Sequence, residues 1–230
     1  MCGRYSLTNP SKLREEFGSD IDGHRTISPR FNIAPGQVVP VIRICQEGKM
    51  CISEMRWGFL PNWASKTNSY KPMINARSES IFERKYFRDS IKRQRVLIPA
   101  DGYYEWMYIN NKKVPYRITK NNHGLFAFAG VWERPSKNAC NKFPTFAIIT
   151  RNSIKNLSVI HQRMPVILSQ GNYLQWLNKR LKLNLVESCL SEMNNSNLEG
   201  YPVNSWVNDI RNDDVKCIQT IDSSGNKIIN

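Results

Sequence analysis

Short apolar blocks, many of them alternating with polar residues, recur along most of the chain and predict a protein built mainly from short strands. Apolar and β-branched residues fill Gln37 to Ile44 and Met50 to Trp57, with Glu47-Gly48 as the turn between these two predicted strands. Further short strands are predicted at 96–99, 114–119, 125–132, 145–150, 166–168 and 217–221.

Helical spacing occurs in fewer stretches of the chain. Asn9-Pro10-Ser11 followed by Lys12 to Phe17 predicts a short capped helix with Leu13 and Phe17 on one face. Ser80 and Glu83 form a capping-box pattern, which predicts a helix with an apolar face made of Ile81, Phe82, Tyr86, Phe87 and Ile91. Two more helices are predicted, from Arg151-Asn152-Ser153 to Ile160 and over residues 171–182, whereas residues 184–200 are polar and rich in Asn. This many short strands with few helices predicts a single α+β domain over residues 1–230.

Composition and net charge limit the class of protein and the kind of partner to expect. Hydrophobic residues make up 40% of the 230 residues, which is enough for a sizeable core. An apolar run of transmembrane length and the apolar region of a signal peptide are both lacking, so we expect a soluble cytoplasmic protein. The 33 Lys and Arg residues exceed the 19 Asp and Glu residues and give a net charge of +14. Such an excess favours a polyanionic partner, most simply nucleic acid, although a basic surface can also serve solubility alone.

The six cysteines are scattered without a CxxC pair, and only three histidines are present, so we expect neither a zinc site nor a disulfide framework. Cys2 is the distinctive one. If Met1 is removed, Cys2 carries an α-amine with a pKa near ~8 and a thiol with a pKa near ~8.5 on one residue. Its amine can condense with an aldehyde to a Schiff base, and its thiol can close onto the same carbon as a thiazolidine. A disordered terminus with an accidental cysteine is the alternative.

Other candidate residues lie in loops or beside turns. Trp63 ends an aromatic loop and suits stacking on an unpaired base. Asn75 and Arg77 precede the predicted helix, where Asn75 can bind a carbonyl or hydroxyl and Arg77 a phosphate. Glu105 lies among aromatic residues, which would raise the pKa of its carboxyl; a strand with Glu105 on its wet face is equally compatible with the sequence. His161 precedes a short strand bounded by proline, in a position suited to an active site or to a structural role.

Together these segments resemble the SOS-response-associated peptidase family, the abasic-site-processing proteins. The matching blocks cover essentially the whole chain, in order: Met1–Tyr5, Phe31–Pro35, Arg56–Pro61, Ile74–Glu79, Asp101–Trp106, Ala129–Glu133 and His161–Val166. Gln162 departs from the family pattern, which usually has Asp there, and Arg151-Asn152 replaces small residues. The resemblance implies a β-rich core of twisted, barrel-like sheets with short, mostly antiparallel strands and flanking helices.

The resemblance also implies an activity: covalent capture of abasic sites in single-stranded DNA as a thiazolidine, with an abasic-site lyase side reaction and peptidase release of Met1. In that reaction Cys2 is the nucleophile, Asn75 holds the sugar oxygen, Glu105 shuttles protons and His161 assists. The resemblance implies DNA contacts by Arg4, Arg77 and Arg163 to phosphates, and by Trp106 or Trp63 to bases. We expect a DNA-associated monomer without metal, organic cofactor or membrane.

Two other classes of protein remain open at this point. A cysteine-type peptide hydrolase would use Cys2, His161 and Glu105 as nucleophile, base and orienting group. A non-catalytic single-stranded-DNA-binding module would use the basic surface and the aromatic residues. Stacking and charge alone do not require a cysteine at the terminus, so the conjunction of Cys2 with Asn75, Glu105 and His161 favours covalent capture.

Overall fold

The computed structural model describes residues 2–18, 26–45, 48–64, 70–135, 143–192 and 197–221. Within these residues the strands are numbered β1 to β13: Arg4–Leu7, Arg30–Ile33, Val38–Ile44, Met50–Trp57, Asn75–Arg77, Arg95–Ala100, Gly102–Ile109, Lys112–Lys120, Phe126–Glu133, Thr145–Asn152, Arg163–Pro165, Ile167–Leu168 and Leu198–Pro202. The helices α1 to α4 are Leu13–Phe17, Arg88–Arg93, Tyr173–Leu177 and Leu183–Ser191. Short 3-10 turns span Pro10–Lys12, Ser78–Ser80, Gln170–Asn172, Ser205–Asn208 and Val215–Ile218.

The strands form two sheets. The first has the order β13-β8-β7-β1-β2, with antiparallel pairing throughout. In the second, β10, β4, β3, β6 and β9 pair in turn, and β9 pairs with β10 again, so these five strands close into a ring. Strands β5, β11 and β12 pair with members of that ring. The α+β fold with a barrel-like, β-rich core and few helices is therefore confirmed.

Gly130 allows the ring to close. A Cβ atom at this position would contact the Ile98 side chain of β6 and lie 3.0 Å from the Ala147 carbonyl oxygen of β10. Because those neighbours belong to the two strands that flank β9, a side chain here would push the ring open. Glycine is the residue that permits this close approach of three strands.

The hydrophobic core lies between the two sheets. Tyr5 of β1 contacts Trp57 of β4 and Phe128 of β9 edge to face, with ring centroids 5.3 and 5.8 Å apart. Tyr103 of β7 reaches the same Phe128 ring, at 6.1 Å. These contacts fix β1 and β7 of the first sheet against the ring. The start of β1, which Cys2 precedes by two residues, is thereby held at the junction of the sheets.

The predicted strands at 37–44, 50–57, 96–99, 114–119, 125–132, 145–150 and 166–168 all overlap observed strands. The last one, at 217–221, is not a strand but a 3-10 turn followed by an isolated bridge from Thr220 to Val203. The helix predicted from Arg151 to Ile160 is also wrong, because Arg151 and Asn152 extend β10 and pair with β11. Within the polar stretch 184–200, α4 buries Val186, Cys189 and Leu190, which have helical spacing.

The predicted helix from Ser80 is broken. Residues 81–87 form turns, and only Arg88–Arg93 is α-helical. Ile81 and Phe87 are both buried. Because they are six residues apart, they could not lie on one face of a continuous helix. Burial of both side chains outweighs the capping pattern. The predicted helix over 171–182 is real but shorter, since α3 ends at Leu177.

Two predictions fall outside the described residues: the removal of Met1 and residue 47 of the turn. None of the helices in the described part of the chain is long and apolar enough to cross a membrane.

Candidate active site

Cys2 precedes β1, an inner strand of the first sheet that pairs with β2 and β7. The residue is fully buried, and its thiol donates a weak hydrogen bond to the Arg4 carbonyl oxygen at 3.9 Å. Burial raises the pKa of the Cys2 thiol, and the nearby Glu105 carboxylate raises it further. The thiol is therefore protonated at neutral pH and needs a base before it can attack as a thiolate.

Asn75 reaches Cys2 from the second sheet. It begins β5, which runs parallel to β10 with Asn75 opposite Ile148. Its side-chain Nδ2 donates to the Cys2 carbonyl oxygen at 3.0 Å. The Asn75 Oδ1 atom is buried and accepts no hydrogen bond from any described residue. A buried amide oxygen without a donor is costly unless a ligand supplies one, so Oδ1 is suited to accept from a bound hydroxyl or amine.

Glu105 lies on β7, and only 4% of its surface is exposed. The sequence left open whether Glu105 occupied a wet face; the strand exists, and Glu105 points to its buried side. Burial raises the pKa of the carboxyl, an effect that the positive charge of a protonated His161 opposes. A carboxyl that keeps its proton above the usual range can act as both acid and base near neutral pH.

His161 faces Glu105 from the turn that leads into β11. Its Nδ1 atom lies 3.9 Å from Glu105 Oε1. The same Nδ1 lies 2.9 Å from the backbone nitrogen and 3.1 Å from the carbonyl oxygen of Arg163, so the Arg163 backbone fixes the orientation of the ring. His161 is partly exposed, whereas Glu105 is buried, and a small crevice that also includes Tyr103, Ser153 and Leu157 lies between them. The structure thus brings Cys2, Asn75, Glu105 and His161 together, as the sequence predicts.

Arg4 and Trp106 lie on the opposite face of the first sheet from Glu105. Arg4 pairs with Tyr104 across the two strands, and Trp106 alternates with Glu105 along β7. The Arg4 guanidinium lies over the Trp106 ring at 5.7 Å and donates to Asn32 Oδ1 and the Val207 carbonyl oxygen, both at 2.7 Å. Arg4 thus ties β1 to the C-terminal segment. The phosphate and base contacts of these two residues stay predictions.

Arg163 and Arg77 differ in what they already bind. Arg163 donates to both carboxylate oxygens of Glu79, at 2.6 and 3.0 Å, and to Asn152 Oδ1 at 2.7 Å. This pairing lowers the pKa of the Glu79 carboxyl to about 2. Arg77, on β5 two residues after Asn75, is exposed. The phosphate contacts predicted for both stay predictions, with Arg77 the more accessible.

Trp63 lies in an exposed aromatic cluster. Its side chain is 44% exposed, stacks on Tyr86 with centroids 5.6 Å apart, and contacts Tyr70 edge to face at 5.1 Å. The Lys85 ammonium lies 5.6 Å from the Trp63 ring. In contrast, Trp57 is fully buried in the core. An exposed indole beside a cation is a suitable platform for an unpaired base.

The buried hydrogen bonds of Asp101, which hold this site in place, were not predicted from the sequence. Asp101, interpreted only as a turn residue, is buried and accepts from Ser6 Oγ at 2.6 Å, from Thr8 Oγ1 at 2.7 Å and from Arg117 at 2.8 Å. The Thr8 backbone N–H also donates to it. This clasp joins β1, which follows Cys2, to the strand that carries Glu105. Arg117, which lies between Tyr116 and Ile118 in β8 and is buried, was the available signal.

Fold and site together define a protein in which a buried cysteine just before β1 lies beside a buried carboxyl group and a partly exposed histidine. The model of the SOS response associated peptidase family matches residues 1–210, and the chain belongs to this family. The chain is 35% identical over 225 residues to "Abasic site processing protein YoqW" of Bacillus subtilis, covering 96% of this chain and 100% of that protein. It is 25% identical over 231 residues to "Abasic site processing protein YedK" of Escherichia coli, covering 96% and 100%.

A crystal structure of a protein from Bacteroides thetaiotaomicron shares the fold, with a TM-score of 0.76 at 24% identity over 95% of this chain and 99% of that one.

Proposed function

We propose that this protein processes abasic sites in single-stranded DNA by forming a covalent crosslink through Cys2. One observation carries the proposal: Cys2 is buried beside Glu105, whose pKa is raised, and its carbonyl is held by Asn75. The family membership and the names of the relatives support the same substrate. An abasic deoxyribose opens to an aldehyde, which an amine and a thiol on one residue can trap.

The first step is attack of the Cys2 amine, freed by removal of Met1, on the aldehyde carbon. The carbinolamine that forms must lose water to become a Schiff base. Glu105, whose pKa is raised by burial, donates the proton that lets the hydroxyl leave. His161 Nδ1 lies 3.9 Å from Glu105 Oε1, so His161 supports the exchange of that proton with solvent.

The second step is ring closure by the thiol. Because the pKa of the Cys2 thiol is raised, the amine reacts first and the thiol adds afterwards. Glu105, now a carboxylate, takes the thiol proton as sulfur bonds to the former aldehyde carbon, and the electron pair of the protonated C=N bond returns to nitrogen, which keeps its one proton. The sum is one aldehyde and one aminothiol giving a thiazolidine and water. The Asn75 Oδ1 atom accepts from the sugar hydroxyl and orients the open form.

Three further activities follow from the same groups. Loss of a proton from the carbon next to the Schiff base would expel the 3′ phosphate and cut the strand, which is a lyase reaction. Reopening of the thiazolidine would reverse the crosslink. Release of Met1 by the site itself would account for the peptidase in the family description.

DNA would lie along the basic surface, with Arg77 and Arg163 near phosphates beside the lesion, Arg4 and Trp106 on the other face of the first sheet, and Trp63 under an unpaired base. We infer that the protein acts as a cytoplasmic, DNA-associated monomer, as the sequence predicts. It requires no metal or organic cofactor.

Denaturing electrophoresis tests the proposal. The chain, confirmed by mass spectrometry to begin at Cys2, is mixed with single-stranded DNA carrying one abasic site. We expect a shifted band that survives denaturation. Intact DNA, and abasic DNA whose aldehyde has been reduced to an alcohol, should give no band. A band of equal intensity with the reduced site would overturn covalent capture through the aldehyde.

A further inference from the structure

A groove of about 780 Å³ lies along the end of β3 and the start of β4, and its lining does not include Cys2, Asn75, Glu105 or His161. Cys45 and Cys51 both line it. Among the cysteines that the structure describes, these two are partly exposed, whereas Cys2, Cys189 and Cys217 are buried. Among the described residues, the thiols that a dissolved reagent can reach therefore lie in this groove.

The two thiols are neighbours across the hairpin. Arg43 pairs with Cys51 in the β3–β4 ladder, and the Cys45 backbone N–H donates to the Lys49 carbonyl oxygen at 2.9 Å. Cys45 and Cys51 thus occupy diagonal positions on one face of the hairpin, where long or polarisable side chains meet. Besides burial, which has the larger effect, the neighbouring Cys45 raises the pKa of the Cys51 thiol. A disulfide between these diagonal positions requires the end of the hairpin to shift until the two sulfur atoms reach the bonded distance of about 2.05 Å.

The charge around the thiols is positive. Arg43, Arg134 and Lys179 line the groove, against the single carboxylate of Glu54. The guanidinium groups of Arg43 and Arg134 both lie over the Trp132 ring, at 5.7 and 6.0 Å from its centroid. Like charges gathered at one concave site raise the local concentration of anions.

Arg43 also links the charge to the thiols. Its Nε donates to Ser53 Oγ at 2.8 Å, and that oxygen lies 3.9 Å from Cys51 Sγ. Burial raises the pKa of the Cys51 thiol, and the Arg43 guanidinium acts in the opposite direction by favouring the thiolate. A thiolate is the form that attacks a disulfide.

We propose that Cys45 and Cys51 form a thiol–disulfide exchange site whose cationic groove selects anionic low-molecular-weight disulfides. One thiolate attacks a sulfur of the small disulfide, forms a mixed disulfide and expels one small thiolate. The second thiolate attacks the protein sulfur of the mixed disulfide and expels the other. Both protein thiols are oxidised to one disulfide, the reagent is reduced to two thiols, and the two protons pass to the released thiolates. This site is independent of abasic-site chemistry.

The first test exposes the reduced, folded chain to oxidised glutathione, followed by alkylation, trypsin digestion and mass spectrometry. We expect fragments 44–49 and 50–56 joined by a disulfide, with the loss of two hydrogens. Cys45→Ser and Cys51→Ser should each stop at a mixed disulfide on the remaining cysteine. Full alkylation of both thiols after prolonged exposure, or oxidation at Cys189 or Cys217 instead, would overturn the proposal.

The second test compares rates with oxidised glutathione, which is anionic, and with hydroxyethyl disulfide, which is neutral. Removing two charges by Arg134→Gln with Lys179→Gln should lower the ratio of these rates on the order of tenfold. Lys112→Gln with Lys113→Gln removes the same charge from the exposed β7–β8 hairpin and should leave the ratio unchanged. Equal ratios in both double variants, with matching thermal unfolding, would overturn selection by the groove.

Discussion

The interior site around Glu105 and the surface around Trp63 differ in their exposure to solvent and therefore in what they can do. Glu105 is 4% exposed, whereas Trp63 is 44% exposed. Burial changes the acid–base properties of Glu105 and Cys2, which chemistry requires, but it also leaves little room for the DNA strand itself. Trp63, with Tyr86 and Lys85 against it, offers exposed aromatic area and a positive charge.

The difference implies a division between reaction and binding. Variants in the interior should change the rate of covalent capture when DNA is saturating. Variants on the surface should change the DNA concentration required and leave that rate alone. An interior variant that changed only the DNA concentration required, or a surface variant that changed the rate at saturating DNA, would contradict this division.

The largest expected effect is that of Cys2→Ala. The variant keeps a terminal amine but has no thiol, so a Schiff base can form and cannot close to a thiazolidine. We expect no crosslink that survives denaturing electrophoresis, with noncovalent DNA affinity unchanged by fluorescence anisotropy. Cys189→Ala, which removes another buried thiol, is the matched control and should crosslink normally.

Glu105→Gln should slow crosslinking by about 10²-fold or more at saturating DNA, because an amide cannot transfer the protons of either step. The dependence of the rate on pH has a predicted direction. Because burial raises the pKa of Glu105, the protonated acid persists above the range of a free Glu and is lost as pH rises through that pKa. The wild-type rate of dehydration should therefore fall over that interval, and the variant should lack this limb. Identical profiles for both proteins would remove Glu105 from the mechanism.

Asp101→Asn should lower the free energy of unfolding by about 3–5 kcal/mol, because it leaves the buried Arg117 without its ionic partner. Chemical denaturation measures this loss. Asp209→Asn is the control, since its ion pair with Arg211 is exposed and should contribute little. A loss at Asp101 no larger than at Asp209 would show that the clasp does not secure β1.

Trp63→Ala should weaken binding to single-stranded DNA about tenfold, since stacking on one base is worth roughly 1–3 kcal/mol. The rate of crosslinking at saturating DNA should not change. Trp206→Ala is the matched control, because Trp206 is 40% exposed and contacts Lys216, outside the Trp63 cluster. Equal loss of affinity in the two variants would mean that any exposed indole on this basic protein contributes.

The smallest expected effect is at Arg77. Arg77→Gln should lower the slope of log affinity against log salt concentration by about 1, the share of one phosphate contact. Titrations at several salt concentrations measure the slope. Lys112→Gln, on the exposed hairpin, should leave it unchanged.

How much the sequence could predict depended on the range of the interaction involved. Seven of the thirteen strands were predictable, because strand patterns are local. The motif blocks identified Cys2, Asn75, Glu105 and His161 as candidates for one site. The Asp101 clasp was not predictable, since its partners Ser6 and Thr8 lie 95 and 93 residues away in the chain and no periodicity connects them. The helix from Ser80 failed because burial of Ile81 and Phe87 outweighed its capping pattern.

The clasp at Asp101 has a kinetic consequence. A chain terminus usually moves freely, so a nucleophile there meets its target in few of its conformations. Here Cys2 leads into β1, an inner strand of a sheet, and the entropy of positioning Cys2 was lost during folding. For an aldehyde bound nearby, the terminal amine would act at a high effective molarity, which reaches about 10⁵–10⁸ M in well-oriented systems. Loosening β1 should therefore slow capture even when every reacting group is intact.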